Sequence, residues 1–324
     1  MSHFSAAFDW ARHQVKSDRL PSAVLGIATA DGTVALDAFG ASGPRTATVD
    51  DHYALFSITK PLVGLVAARA IERGLLTPQT PLVAAIPEFG SLRDDVVRLR
   101  HLVSHTSGIT EPPLDPVAGL RESLLVGSRD FAAGAASRYS SIAYEGVAAL
   151  IEQATGQSWI DGVSKWANEI GADGFTVDPA CDAHPVADAG AAGLDVDRFQ
   201  SLQHPGAGMF ARASDLLALG STLLRRDGVV QPATLEMMLR PLTGDVPRLE
   251  PYPVERGQDW GFSWNLRRHD PALISTDGFG HGGWAGTEFW VHPTAGVTYV
   301  LLTNQALRPG VDTAQLDNAI VSGV

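Results

Sequence analysis

Strand signals stand at both ends of this chain and helix signals fill its middle, an order that few architectures accommodate. Residues 23–30 and 33–39 are apolar runs on either side of Asp31-Gly32, and strand, Asp-Gly, strand is a strong hairpin signal because a type I′ turn needs positive φ at both central positions. Strand patterns then vanish until residues 260–266, 287–292 and 297–303. The last two flank Pro293-Thr294-Ala295-Gly296, a composition suited to a tight hairpin turn. Between the two groups, residues 96–104, 144–153, 159–170 and 214–225 read as helices, the last with Ser214-Asp215 as its cap. Helices are also expected over residues 1–18 and 312–321. The expectation is an α/β chain of the α+β type: an antiparallel sheet flanked by helices, built from residues 1–75 and 246–324, with residues 76–245 inserted as a mainly helical lobe. Two long loops rich in Pro, Gly and charge, 111–130 and 245–259, are expected to form pocket walls or lids.

One stretch carries a chemical expectation. In Phe56-Ser57-Ile58-Thr59-Lys60-Pro61 a serine precedes a lysine by three residues and an apolar helix follows, closed by Gly74 as its C′ residue. Residues three apart share a helix face, so the hydroxyl and the amine can meet. A serine needs a base, and a lysine held neutral by burial or by the positive end of a helix supplies one. Pro61 is compatible, because N–H groups of the first turn have no intrahelical partner. Alone, Ser-x-x-Lys recurs by chance roughly once in a chain of this length.

Other classes lack their signatures. The 324 residues carry a formal net charge of −12 and no run of Lys or Arg that could follow a phosphate backbone, so nucleic acid is not expected as a partner. No apolar run approaches bilayer length, so no membrane association is expected. The N-terminal residues lack the pattern of a secretory signal. With Cys181 the only cysteine, no intramolecular disulfide can form, and these features together suggest a cytoplasmic protein. No Gly-x-Ser-x-Gly elbow occurs. His101 and His105 share a helical spacing without a third ligand, so no metal is expected. Gly278-x-Gly280-x-x-Gly283 precedes a strand instead of opening a helix, which sets aside a dinucleotide cofactor. No cofactor is expected.

Four separated stretches, in order, resemble the serine β-lactamase and penicillin-binding-protein-like superfamily, in its class C-like branch of esterases, D-aminopeptidases and carboxypeptidases. They are Phe56-Ser57-Ile58-Thr59-Lys60; His101-Leu102-Val103-Ser104-His105-Thr106-Ser107-Gly108-Ile109, similar to a structural loop; Tyr139-Ser140-Ser141, where Tyr-x-Asn is usual; and Gly280-His281-Gly282-Gly283-Trp284, similar to the His-x-Gly form of Lys-Thr-Gly. Leu301-Leu302-Thr303-Asn304 follows as it does in the superfamily. The resemblance implies Ser57 as nucleophile, Lys60 and Tyr139 as a coupled base pair, and the backbone N–H groups of Ser57 and Trp284 as oxyanion hole. It places Ser141, His281, Gly282 and Gly283 against substrate, with His281 able to donate a hydrogen bond. An ammonium beside Tyr139 is expected to lower the phenol's pKa. Two departures, Ser141 for asparagine and His281 for a permanent cation, shift the expectation from β-lactams to small or medium esters, and the Tyr-Ser-x form of the third stretch resembles the family VIII carboxylesterases. An amide substrate, as for a D-aminopeptidase or D,D-carboxypeptidase, is the alternative, and a non-catalytic binding protein on the same fold is a third reading. The oligomeric state is not legible.

Overall fold

A computed structural model of the chain describes residues 3–253, 257–269 and 273–324. Its strands are β1 (Ser22–Thr29), β2 (Gly32–Ser42), β3 (Arg45–Thr46), β4 (Tyr53–Ala54), β5 (Phe210–Ala211), β6 (Asp259–Trp260), β7 (Asn265–Leu266), β8 (Phe279–Gly282), β9 (Glu288–His292) and β10 (Val297–Thr303). Eight of them form one antiparallel sheet in the order β3-β2-β1-β10-β9-β8-β7-β6, and β4 pairs with β5 apart from it. β1 therefore lies between its sequence neighbour β2 and the far end of the chain, with Ala23 opposite Thr303. The helices are α1 (Ser5–Lys16), α2 (Thr59–Glu72), α3 (Leu99–Val103), α4 (Leu120–Val126), α5 (Ala143–Thr155), α6 (Trp159–Glu169), α7 (Val196–Ser201), α8 (Ala213–Arg225), α9 (Pro232–Met238) and α10 (Thr313–Val321).

Side-chain alternation explains why the central strands are apolar throughout. Ala23, Leu25 and Ile27 of β1, with Val297, Tyr299 and Leu301 of β10, join Ala7 and Ala11 of α1 and Leu316 and Ile320 of α10 in one core. The alternate residues Val24, Ala28, Val300 and Leu302 join the larger core, with Leu216 and Leu217 of α8 and most of α2. Both sheet faces are thus covered, so β1 and β10 cannot show the apolar–polar period of a half-exposed strand. α2 is buried on nearly every side from Thr59 to Ala70 and packs against α5 and α6. Within residues 76–245, α8 lies on the sheet, so this stretch is not helical lobe alone.

Several sequence expectations hold and others need correction. Gly74 closes α2 at φ +72, its N–H bonded to Ile71 O at 2.9 Å, and Gly296 turns β9 into β10 at φ +69. The first hairpin forms, but not through a type I′ turn: Gly32 sits at φ +124, Asp31 is not among the positive-φ residues, and a register shift at Ile27/Ala28 absorbs the difference. Residues 260–266 are no single strand. Ser263 at φ +69 folds them into the β6–β7 hairpin, where Gly261 N–H meets Trp264 O at 2.9 Å. α8 starts at Ala213, and Asp215 bonds the Arg212 N–H at 3.0 Å, so the cap is Arg212 and not Ser214. The helices α4, α7 and α9 carry no expectation because each has seven residues or fewer, too few for a period to register. Residues 1–2 of the first expected helix and 254–256 of the second long loop lie outside the described residues.

The contact of α8 with β10 gives a stability test. A Cβ on Gly220 would stand 2.3 Å from Thr298 Oγ1 and 2.8 Å from its Cβ. Thr298 is β-branched and fixed by its bond to Trp290 O at 2.8 Å. Gly220→Ala is expected to lower the urea midpoint, because overpacking costs about 1–3 kcal/mol and the gain in helix propensity is about 1 kcal/mol. An unchanged or raised midpoint would contradict this packing.

Candidate active site

Ser57 does not sit in the α-helix itself. It occupies a 3-10 turn, Phe56–Ile58, that leads directly into α2, where Lys60 is the second residue. Phe56 holds φ +46, a left-handed conformation that costs a bulky residue about 1 kcal/mol or more. Packing holds it there, since its buried ring stacks on Phe199 at 5.3 Å and meets Trp284 at 5.1 Å. Leu55 anchors the same turn from two sides: its N–H bonds Met209 O at 2.9 Å, and its carbonyl accepts the Thr287 hydroxyl at 3.2 Å. The loop after β8 therefore presses on this turn. A Cβ on Gly283 would come within 2.4 Å of Leu55 O, so only glycine fits there.

Lys60 is fully buried, and its Nζ has three polar neighbours. Ser57 Oγ lies at 3.1 Å, Ser141 Oγ at 3.0 Å and Gly206 O at 2.8 Å. Burial pushes the amine down to about 7, with Glu111 acting in the opposite direction. Ser57 itself is partly exposed. The site thus joins a half-open hydroxyl to an amine that changes charge near neutrality.

Tyr139 lies against Lys60 in a way the sequence does not indicate. Nζ stands 4.7 Å from the ring centroid, over the face of the phenol and not beside its oxygen. Burial raises the phenol's pKa well above 10, and Tyr252 adds to this while Ser57 opposes it. The expected lowering by an ammonium is therefore overturned, because desolvation outweighs it. The Tyr139 hydroxyl is buried, and Ser57 is the side chain that hydrogen-bonds with it. His105 positions this tyrosine: its carbonyl accepts the Arg138 N–H at 2.9 Å, its Nδ1 accepts the Ser140 N–H at 3.1 Å, and its ring stacks on Tyr139 at 4.3 Å. His101 caps α3 instead, its Nδ1 accepting the Arg98 N–H at 3.2 Å. Among the described residues, no group of three or more His, Cys, Asp or Glu could hold a metal ion.

His281 also departs from expectation. Its Nδ1 is 2.7 Å from Gly282 O, so Nδ1 carries the proton and donates it. Burial, then Lys60, pushes this imidazole down to about 3, which keeps it neutral. Its Nε2 therefore presents a lone pair, an acceptor where a donor was expected. Trp284 is half-buried, and its carbonyl accepts from Arg308 at 3.0 Å.

Two contributors lie outside the four recognised stretches. Gly206, whose carbonyl holds Lys60, belongs to His204-Pro205-Gly206-Ala207-Gly208, where the Gly206 N–H bonds His204 Nδ1 at 2.9 Å. Its density of glycine and proline just before a helix cap was the signal available. Glu111 accepts the backbone N–H groups of Ser141 at 2.7 Å and Ile142 at 3.1 Å. The long loops do form walls: Glu111, Ser128, Arg129 and Asp130 from the first, with Glu250 and Pro251 from the second, border a cleft of about 670 Å³ that reaches Tyr139.

A sequence model described as Beta-lactamase matches residues 8–321. The chain belongs to the beta-lactamase family. Membership makes it a serine hydrolase. Among curated proteins, it is similar to Esterase EstB of Burkholderia gladioli, 27% identical over 317 residues that cover 79% of this chain and 78% of the relative. Its fold is that of EstCE1, described as a hydrolase with promiscuous acyltransferase activity, with a TM-score of 0.82 and 20% identity over 98% of both chains. A penicillin-binding-protein homologue from Caulobacter crescentus superposes with a TM-score of 0.83 at 18% identity, covering 100% of this chain and 98% of the other. The antiparallel sheet with flanking helices is thus a family property.

The buried amine has a measurable effect on stability. An unfolded lysine titrates near 10.5, the folded one near 7. Between these values the unfolded chain binds more protons, so stability rises with pH. The wild type is expected to gain roughly 2 kcal/mol relative to Lys60→Met between pH 7 and pH 9. Parallel stability curves for the two proteins in urea melts would refute the lowered pKa.

Proposed function

We propose that this protein is a carboxylesterase that cleaves small or medium esters by ping-pong acyl transfer through Ser57. The observation that carries the reading is the triple coordination of Lys60 Nζ. A neutral amine has two N–H groups and one lone pair. Donation to Gly206 O and Ser141 Oγ occupies the two N–H groups and turns the lone pair to Ser57 Oγ.

In this mechanism Ser57 Oγ attacks the ester carbonyl as its proton passes to Lys60. The oxyanion is held by the Ser57 and Trp284 N–H groups. The Ser57 proton, now on Lys60, passes to the departing alkoxide, to which the Tyr139 hydroxyl, protonated throughout the neutral range, donates a hydrogen bond. Water then attacks the acyl-enzyme with the same amine as base, and as the C–Oγ bond breaks Lys60 returns that proton to Ser57 Oγ and the acid leaves. The curated relative named as an esterase supports the substrate class. The neutral His281 supports it too, because a lone pair at Nε2 repels the carboxylate that a β-lactam would bring there. Ser141, Gly282 and Gly283 complete the wall beside the nucleophile.

Hydrolysis of p-nitrophenyl acetate and butyrate tests the reading. Ser57→Ala is expected to lose roughly 10³- to 10⁶-fold in kcat, and nitrocefin to be a poor substrate for the wild type. Equal ester rates in wild type and Ser57→Ala would reject it, and fast nitrocefin turnover beside slow ester turnover would move the substrate class to amides. Because the base must be deprotonated, kcat/KM is expected to rise through a pH near 7 and to stay level up to about pH 9.

A further inference from the structure

Glu111 opens the long loop 111–130, and its carboxyl turns inward to the start of α5. The Ser141 and Ile142 N–H groups, which have no intrahelical partner at this helix start, both bond its Oε2. The next one, on Ala143, is met by Ser140 Oγ at 3.3 Å. Capping alone does not account for a carboxylate here. A neutral side chain can accept the same N–H groups, and a cap is worth about 1 kcal/mol. Ser141 links the carboxyl to the amine, since its N–H bonds Glu111 Oε2 at 2.7 Å and its Oγ lies 3.0 Å from Lys60 Nζ, and the two ionisable groups act on each other.

We propose that Glu111 is a positioning residue for the Ser57–Lys60 pair, holding Ser141 against the amine and supplying the negative charge that faces it. The inference rests on the esterase reading of the same site. Among the described residues, the groups in contact with Nζ bring no formal charge. Tyr139 and Tyr144 present their ring faces at 4.7 and 5.5 Å. His204 and His281 are pushed down to about 3 by burial and then by Lys60, and burial lowers His105 in the same way. Ser57, Ser141 and Gly206 contribute only dipoles. Glu111, its own pKa raised by burial against its backbone bonds and Lys60, is the acid that offsets the desolvation of the amine. The two carboxyl functions are separable: hydrogen bonding through Ser141 sets geometry, and charge sets the pH at which the base becomes free.

The test uses the full chain and a fluorophosphonate, whose rate of reaction with Ser57 reads nucleophilicity without an ester. In the wild type this rate is expected to rise through a pH near 7. Glu111→Gln keeps an oxygen for both N–H groups and removes the charge, so the rise is expected about one pH unit lower. Glu111→Asp keeps the charge with a shorter reach, so the rise is expected near the wild-type pH with a reduced plateau. A Glu111→Gln profile that rises at the wild-type pH would overturn the inference and leave the esterase reading intact. A wild type that does not react at Ser57 would overturn both. As a check independent of folding in the Glu111 variants, the carboxyl of Glu111 is followed by ¹³C NMR in wild type and Lys60→Met. Loss of the cation is expected to raise its titration midpoint, and an unmoved midpoint would overturn the proposal.

Discussion

The site depends on the burial of one amine. A lysine in water holds its proton to above pH 10 and is useless as a base at neutrality. Lys60 is surrounded on α2 by the largest apolar core of the molecule, and water is replaced by two hydroxyls and one carbonyl. Desolvation then works against the ammonium by several kcal/mol, far more than any exposed ion pair returns. The charge state is thus set by the core itself, so the helix that stabilises the fold also tunes the chemistry.

Around that amine, neighbouring elements each supply one constraint, and most do so through the backbone. The turn carrying Ser57 is fixed by Phe56 between Phe199 and Trp284. The stretch carrying Tyr139 is fixed by His105. The loop after β8 touches Leu55 O directly at Gly283. Rigid elements holding a small set of polar groups reduce the reorganisation that a reaction among them would need.

Much of this was legible in the sequence, for identifiable reasons. Ser57 and Lys60 are three residues apart, so local geometry brings them together whatever the remaining chain does. The Gly74 and Gly296 turns follow from φ alone. Gly206 and Glu111 escaped because their roles are played by a carbonyl and by a side chain that reaches a distant helix start, and neither leaves a spacing pattern. Tyr139 was identified while its electrostatics were misjudged: the sequence places a cation near it, but only the fold shows that the amine lies over the ring face. The His281 tautomer likewise depends on the carbonyl of Gly282, a group present at every residue. The β6–β7 hairpin was hidden because Trp260, Phe262 and Trp264 keep the alternation of a strand through a turn at Ser263.

The pairing of β1 with β10 has a consequence for how the molecule comes into being. As the chain leaves a ribosome, β1 and β2 emerge long before β10, and the edge of β1 that receives β10 stays open until residue 303 exists. Ser57, Lys60 and Tyr139 are all synthesised before the His281 strand that completes their surroundings. No shortened product of translation ending before β8 can complete the surroundings of Ser57, Lys60 and Tyr139, and the apolar edge of β1 is exposed throughout, a state that favours aggregation. A sheet closed between residues 23 and 303 is complete only once β10 has been made, and until then its open edge needs protection from association.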